Sequence, residues 1–211
     1  MEIGTYYCKW SSQHPTLRQL PTDFWEHGVD LVRADDGRRP NHPTKLRCLW
    51  NERQLSIYFN AVDPDIWGTY TRPNDPIYRE EVVEAFLAPN PDDLTHYFEL
   101  ELSPRNVPFA ARITNNGRPK VDLDWELNWQ TEVFVQGTLD LRDDVDEFWL
   151  ARMLLPVSEL SAGLKAGDRW RANFYRIDRT PQDEYSALFP IFATPADFHT
   201  PQRFGHLLFT K

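Results

Sequence analysis

Residues 82–88 read Val-Val-Glu-Ala-Phe-Leu-Ala and, after the turn Asn90, Pro91, Asp92, Asp93, residues 97–103 read Tyr-Phe-Glu-Leu-Glu-Leu-Ser. Successive side chains of an extended strand alternate between two faces, so Val82, Glu84 and Phe86 share one side and Val83, Ala85 and Leu87 the other. Glu84 therefore stands in an apolar row whichever side is the core. On the following strand Tyr97, Glu99 and Glu101 face one way and Phe98, Leu100 and Leu102 the other, and Pro104 closes the strand. The same period of two recurs outward in both directions. Residues 46–50 and 55–61 flank the polar turn Asn51, Glu52, Arg53 as a hairpin. Residues 109–114 end at Asn115, Asn116, Gly117, and further strands read at 132–139, 148–155, 170–177 and 204–209. Helix is confined to a turn after Pro156 and a short stretch at 21–27. About nine or ten strands are too many for one open sheet to bury. The expectation is an all-β, two-sheet antiparallel β-sandwich of jelly-roll or immunoglobulin-like topology, one domain over residues 1–211.

Composition agrees and excludes other classes. The chain has 211 residues, 41% hydrophobic and 26% charged, with 9 Gly and 17 Pro, a balance that favours rigid turns between strands and excludes wholesale disorder. Its 32 acidic and 23 basic residues give a net charge of −9, the wrong sign for a phosphate-binding surface, so no nucleic-acid partner is expected. No apolar run approaches a membrane span, and residues 1–10 carry no leader pattern, which places the chain in the cytoplasm as written and outside the cell if a leader has been trimmed. Cys8 and Cys48 read as buried free thiols.

The common catalytic signatures, Gly-x-Ser-x-Gly, the P-loop and His-Glu-x-x-His, are missing. The chemistry that remains is carboxylate and aromatic. A Glu84 held among apolar neighbours calls for a donor, and Arg112 and Arg176 are the expected partners. Asn173 and Arg176 make their strand polar at positions that should be interior. Of eight Trp, Trp50, Trp149 and Trp170 lie in apolar strand patterns and read as core, whereas Trp67 falls in the turn-rich loop Asp63, Pro64, Asp65, Ile66, Trp67, Gly68. A ring exposed beside carboxylates can stack on the C–H face of a sugar while polar groups bond its hydroxyls.

Six blocks taken in order resemble the family 9 carbohydrate-binding modules and their DOMON-related sandwich relatives: LSIYFNAVD (55–63), NDPIYREEVVEAFLAP (74–89), HYFELELSPRN (96–106), FWLARMLLPVSEL (148–160), GDRWRANFYRID (167–178) and DFHTPQRFGHLLF (197–209). The resemblance implies a sandwich without catalytic residues in which two Trp rings clamp a sugar chain end and calcium is structural. Position by position it sets Tyr78 and Phe198 where the family has its clamping Trp, Glu84 at the sugar-bonding glutamate, and Glu99 at or near the family's arginine. It also makes Asp63, Asp65 and Asp75 candidate calcium ligands.

The expected function is non-catalytic binding or sensing of a mono- or oligosaccharide, through Tyr78, Phe198, Trp67, Glu84, Asn173, Arg176 and Arg112. The alternatives are a sandwich that has lost the sugar site and meets a protein partner, a hydrolase with Glu84 and Glu99 as acid and base, and a haem domain using Met153.

Overall fold

The computed structural model describes residues 3–211. Among the described residues fourteen strands follow one another: β1 (Thr5–Trp10), β2 (Val29–Asp30), β3 (Val32–Arg33), β4 (Thr44–Trp50), β5 (Gln54–Val62), β6 (Val82–Ala88), β7 (His96–Leu102), β8 (Pro108–Asn115), β9 (Pro119–Asp122), β10 (Gln130–Gln136), β11 (Phe148–Pro156), β12 (Arg169–Asp178), β13 (Glu184–Ala187) and β14 (Gly205–Thr210). Helix is limited to α1 (Val157–Leu160) and 3-10 turns at Leu17–Gln19, Phe24–His27, Ile77–Arg79 and Pro201–Arg203.

The all-β class is as expected, but the ladder is not that of two separate antiparallel sheets. The strands join in one curled sheet, in the order β10-β11-β5-β4-β1-β14-β12-β6-β7-β8-β9. Within it β1 lies parallel to both β14 and β4. The chain's first strand is thus wedged between its last strand and an early hairpin, a long-range pairing that alternation within any one segment cannot reveal. Strand twist curls the sheet until its two arms face each other. Phe59 of β5 and Phe174 of β12 meet across the interior at 6.5 Å between ring centroids. Around them Ile57, Val83, Ala85, Leu87, Leu100 and Met153 form the inner core. At the closed end Phe209 lies edge-on between Trp50 and Trp170.

The outer faces are covered as well. Residues 13–27 lie over one arm, where Leu17 and Phe24 pack on Tyr58 and Leu150. The stretch 188–204 lies over the other, against Phe86, Tyr97 and Tyr175. Every residue of β6 is consequently buried.

At the sheet's open end the inner face turns ionic. The Arg176 side chain is 1% exposed, with Nη2 3.0 Å from Asp63, 3.3 Å from Asp178 and 3.8 Å from Glu81. Its Nη1 donates to the Val62 carbonyl at 2.5 Å. His42 Nδ1 meets Asp178 at 2.7 Å, and Trp149 Nε1 donates to Asp63 at 3.2 Å. Burial raises the pKa of both Asp63 and Glu81, and Arg176 opposes the shift in each. Removing the guanidinium would leave three buried acids with little cationic compensation. Arg176→Ala is therefore expected to cost about 3–5 kcal/mol. Chemical denaturation at pH 5 and pH 8 should show the smaller deficit at pH 5, where the abandoned acids take up protons. A deficit under 1 kcal/mol at both would remove this network from the account.

Candidate functional site

β6 and β7 present their second face to a different environment. Glu84 stands opposite Glu101, and Phe86 opposite Glu99, so the three acids fall on one side of the ladder together with Phe86 and Tyr97. This is the face toward the covering stretch 188–204. Between strands and covering stretch lies an open groove of about 840 Å³, bordered by Tyr78, Glu84, Glu99, Phe109, Arg179 and Phe198, with Val121, Leu123, Tyr185, Asp197 and His199 at its margins.

Each wall has a local cause. Tyr78 sits in the 3-10 turn Ile77–Arg79, where Ile77 is fully buried and anchors the turn, leaving Tyr78 40% exposed above the strands. Arg179 Nη2 donates to the Tyr78 carbonyl at 3.0 Å, and the ring stands edge-on to Phe109 at 6.1 Å. Asn74 opens the same loop at φ 62°, a left-handed position that Asn tolerates, while its Oδ1 accepts from Ala110 N–H at 3.0 Å. Phe198 lies flat on Tyr175, with centroids 3.9 Å apart and planes at 7°. One ring face is therefore spent on the protein, and only 9% of the residue is exposed.

The covering stretch is held by polar clamps. Asn173 Oδ1 accepts from Phe189 N–H at 3.0 Å and its Nδ2 donates to Phe189 O at 2.8 Å. Phe189 in turn lies over Gly205, where a Cβ would collide with the ring. Asn115 Nδ2 donates to the His199 carbonyl at 2.9 Å and to Tyr97 Oη at 3.2 Å. The Tyr97 hydroxyl is then free to donate to His199 Nδ1 at 2.8 Å. This relay assigns the neutral imidazole its proton on Nε2, which lies 3.8 Å from Glu99 Oε1. Burial lowers the His199 pKa, in keeping with the neutral ring.

The groove floor is acidic, with Glu84 and Glu99 lining it and Glu101 buried behind them. Burial is the first cause that raises the pKa of all three glutamates; Glu99 is pushed up to about 7, and Glu84 and Glu101 go well above the ordinary carboxylate range, helped by their neighbours' charge.

The structure brings together Tyr78, Glu84 and Phe198 and disperses the other expected ligands. Arg176 pairs with Val83, not Glu84, and so points into the inner face; the expected ion pair between Glu84 and Arg176 does not form. Arg112 is also turned away from Glu84, exposed with its guanidinium 5.1 Å from the Trp125 ring centre. Strand parity decides both, and sequence alone does not give the register. Asn173 is on the groove side but is consumed by Phe189. Trp67 borders a separate hollow with Arg105 and Asp140, under the Arg142 guanidinium at 4.6 Å. Asp63, Asp65 and Asp75 do not converge on a calcium-sized centre. Asp63 faces Arg176, Asp65 accepts from Arg142 and Thr180, and Asp75 accepts from the backbone of Thr71 and Arg72. Met153 is buried in the inner core, and Cys8 and Cys48 are buried free thiols.

Phe109, Tyr185 and His199 are groove residues that the sequence reading passed over. Phe109 had a signal in its strand parity; Tyr185 reaches the groove from β13, a strand the sequence reading did not find, and His199 from the covering stretch.

The comparisons with known proteins fit this geometry. The family model described as carbohydrate-binding family 9 matches residues 37–209. A relative described as an extracellular protein, from Arthroderma benhamiae, is 24% identical over 205 residues, covering 93% of this chain and 91% of its own. A candidate carbohydrate-binding protein from Bacteroides uniformis superposes with a TM-score of 0.73 at 17% identity, covering 99% of this chain and 100% of the other. A family 9 module from Caldicellulosiruptor kristjanssonii, solved with glucose, gives 0.64 at 15% identity, covering 98% and 96%; its complex with cellotriose gives 0.60 at 16%, covering 98% and 94%. With a match running over most of its length, the chain belongs to carbohydrate-binding family 9.

Proposed function

We propose that the protein is a non-catalytic carbohydrate-binding domain whose ligand lies in the groove over β6 and β7. The carrying observation is the convergence of Tyr78, Glu84 and Phe198, drawn from two distant parts of the chain, on one open hollow. Tyr78 offers the free ring face, Phe198 and Phe109 supply apolar walls, and Glu84 and Glu99 accept from sugar hydroxyls. Glucose and cellotriose, found in the Caldicellulosiruptor module, are the starting ligand chemistry. The reading as a module that has lost its site would need this hollow filled by the protein's own atoms, and the hollow is open.

Two further features support the non-catalytic reading. The carboxyl oxygens of Glu84 and Glu99 lie within 4.8 Å of each other on adjacent strands of one wall, whereas a glycosidase sets its acids on either side of the bond it breaks. Arg179, the guanidinium at the groove, is committed to Asp183, Tyr185 and the Tyr78 carbonyl. The extracellular description of the Arthroderma relative favours an exported protein over the cytoplasmic expectation.

Calorimetry against neutral and amino mono- and oligosaccharides tests the proposal. Tyr78→Ala should weaken the best ligand about tenfold or more, ~1.4 kcal/mol, while Trp67→Ala changes affinity less than about twofold, ~0.4 kcal/mol. Equal loss in both, or no saccharide binding at all, rejects this groove as the site.

A stability prediction comes from the floor. An acid whose pKa is raised in the folded state contributes most when protonated, and that contribution is lost as pH climbs from its unfolded pKa to its folded one. For Glu99 the window runs from 4.5 to about 7. Glu99→Gln should match the wild type at pH 4.5 and exceed it above pH 7.5 by up to about 3 kcal/mol, or roughly 5–10 °C in melting temperature. A gap that stays flat across this range would show that Glu99 ionises normally.

A further inference from the structure

The groove floor gathers more carboxyl groups than neutral sugar recognition uses. One carboxylate oxygen from each of Glu84, Glu99 and Glu101 lies within 4.8 Å of the other two. Like charges set opposite each other on a strand pair destabilise it, and the Arg179 guanidinium offsets only part of the effect on Glu84. Arg179 directs its Nη groups to Asp183, Tyr185 and Tyr78. Burial disfavours the charged His199 ring, which stays 3.8 Å from Glu99. Glu84 Oε1 has no hydrogen-bond partner, although the residue is only 2% exposed. Buried acceptors left in this state are rare and costly. That of Glu84 borders the groove, beside the ring of Tyr78.

We propose that the groove selects a sugar carrying a free, protonated amino group, a hexosamine unit whose ammonium seats against Glu84 and Glu99 while Tyr78 carries the ring. This rests on the carbohydrate reading above and narrows it to a ligand class. An ammonium is compact, offers three N–H donors and brings one positive charge, so it can bond both groove-lining carboxyl groups at once and relieve their repulsion. A hydroxyl or an N-acetyl group brings one donor and no charge. A calcium ion asks for six to eight oxygen ligands, more than this aromatic-walled floor supplies without many waters. Because burial keeps protons on the empty floor, an arriving ammonium displaces some of them, and binding releases protons to the buffer.

The test is calorimetry at pH 6.5 with three matched trisaccharides, β-1,4-linked glucosamine, its fully N-acetylated counterpart and cellotriose, together with calcium chloride. The glucosamine trisaccharide should bind at least tenfold tighter than the other two, with a heat that varies with the ionisation enthalpy of the buffer. Glu84→Gln and Glu99→Gln, each checked for a cooperative melt, should erase the preference for the glucosamine trisaccharide over cellotriose. Equal or tighter binding of cellotriose overturns the inference and leaves the carbohydrate reading standing, whereas binding of no saccharide defeats both. A preference that survives both substitutions places the attraction elsewhere on an acidic surface and overturns it. So does displacement of the glucosamine trisaccharide by calcium, which would make the floor a metal site.

Discussion

The register of β6 on β12 sets Val83 opposite Arg176 and Glu84 opposite Tyr175, and the rest of the molecule follows from that pairing. Both strands are buried on both faces, so alternate residues serve two separate interiors. Odd positions of β6 and even positions of β12 fill the inner core and its ionic end; the others build the groove side. A slip of one residue would put Glu84 among Phe59 and Phe174 and Arg176 in the groove. Register is pinned because each face rejects the residues of the other: hydrocarbon on one side of Glu84 has no use for a carboxylate, and the acids around Arg176 have no use for a tyrosine ring.

Two clusters of three acids thus sit within one sheet, and they are handled differently. Asp63, Glu81 and Asp178 surround a guanidinium supplied by the chain itself, so that cluster is complete as folded. Glu84, Glu99 and Glu101 surround no guanidinium, Arg179 offsets Glu84 only in part, and burial favours their protonated forms. Replacing the second group by apolar residues of similar size would be expected to stabilise the fold. A site that gives up stability while bordering an open, aromatic-walled hollow has the character of a recognition surface.

The sequence was legible where the physics is local. Alternation located β4, β5, β6, β7, β8, β10, β11, β12 and β14 to within a few residues, and Pro156 marked α1. It missed β1, whose partners β14 and β4 are remote in the chain, and with it the parallel pairs that join two expected layers into one curled sheet. At the site, Glu84 declared itself by standing in an apolar row. Tyr78 and Phe198 came from their place in the family's motifs. Arg112 and Arg176 were chosen as its partners because charge complementarity is visible in a sequence, whereas the parity that turns both away depends on register. Trp67 looked like a ligand ring because polar neighbours suggested exposure; the Arg142 guanidinium that covers it comes from 75 residues farther on.

The floor of the groove belongs to strands locked into the sheet, but its far margin belongs to a single ribbon pinned at Asn173, Asn115 and Gly205. Outside the core residues Ile191, Phe198 and Phe204, the ribbon's exposed positions can change without disturbing a strand. Related chains can therefore diverge in taste while sharing a skeleton, and grafting the ribbon between Phe189 and Phe204 is a route to retuning selectivity with the framework left intact.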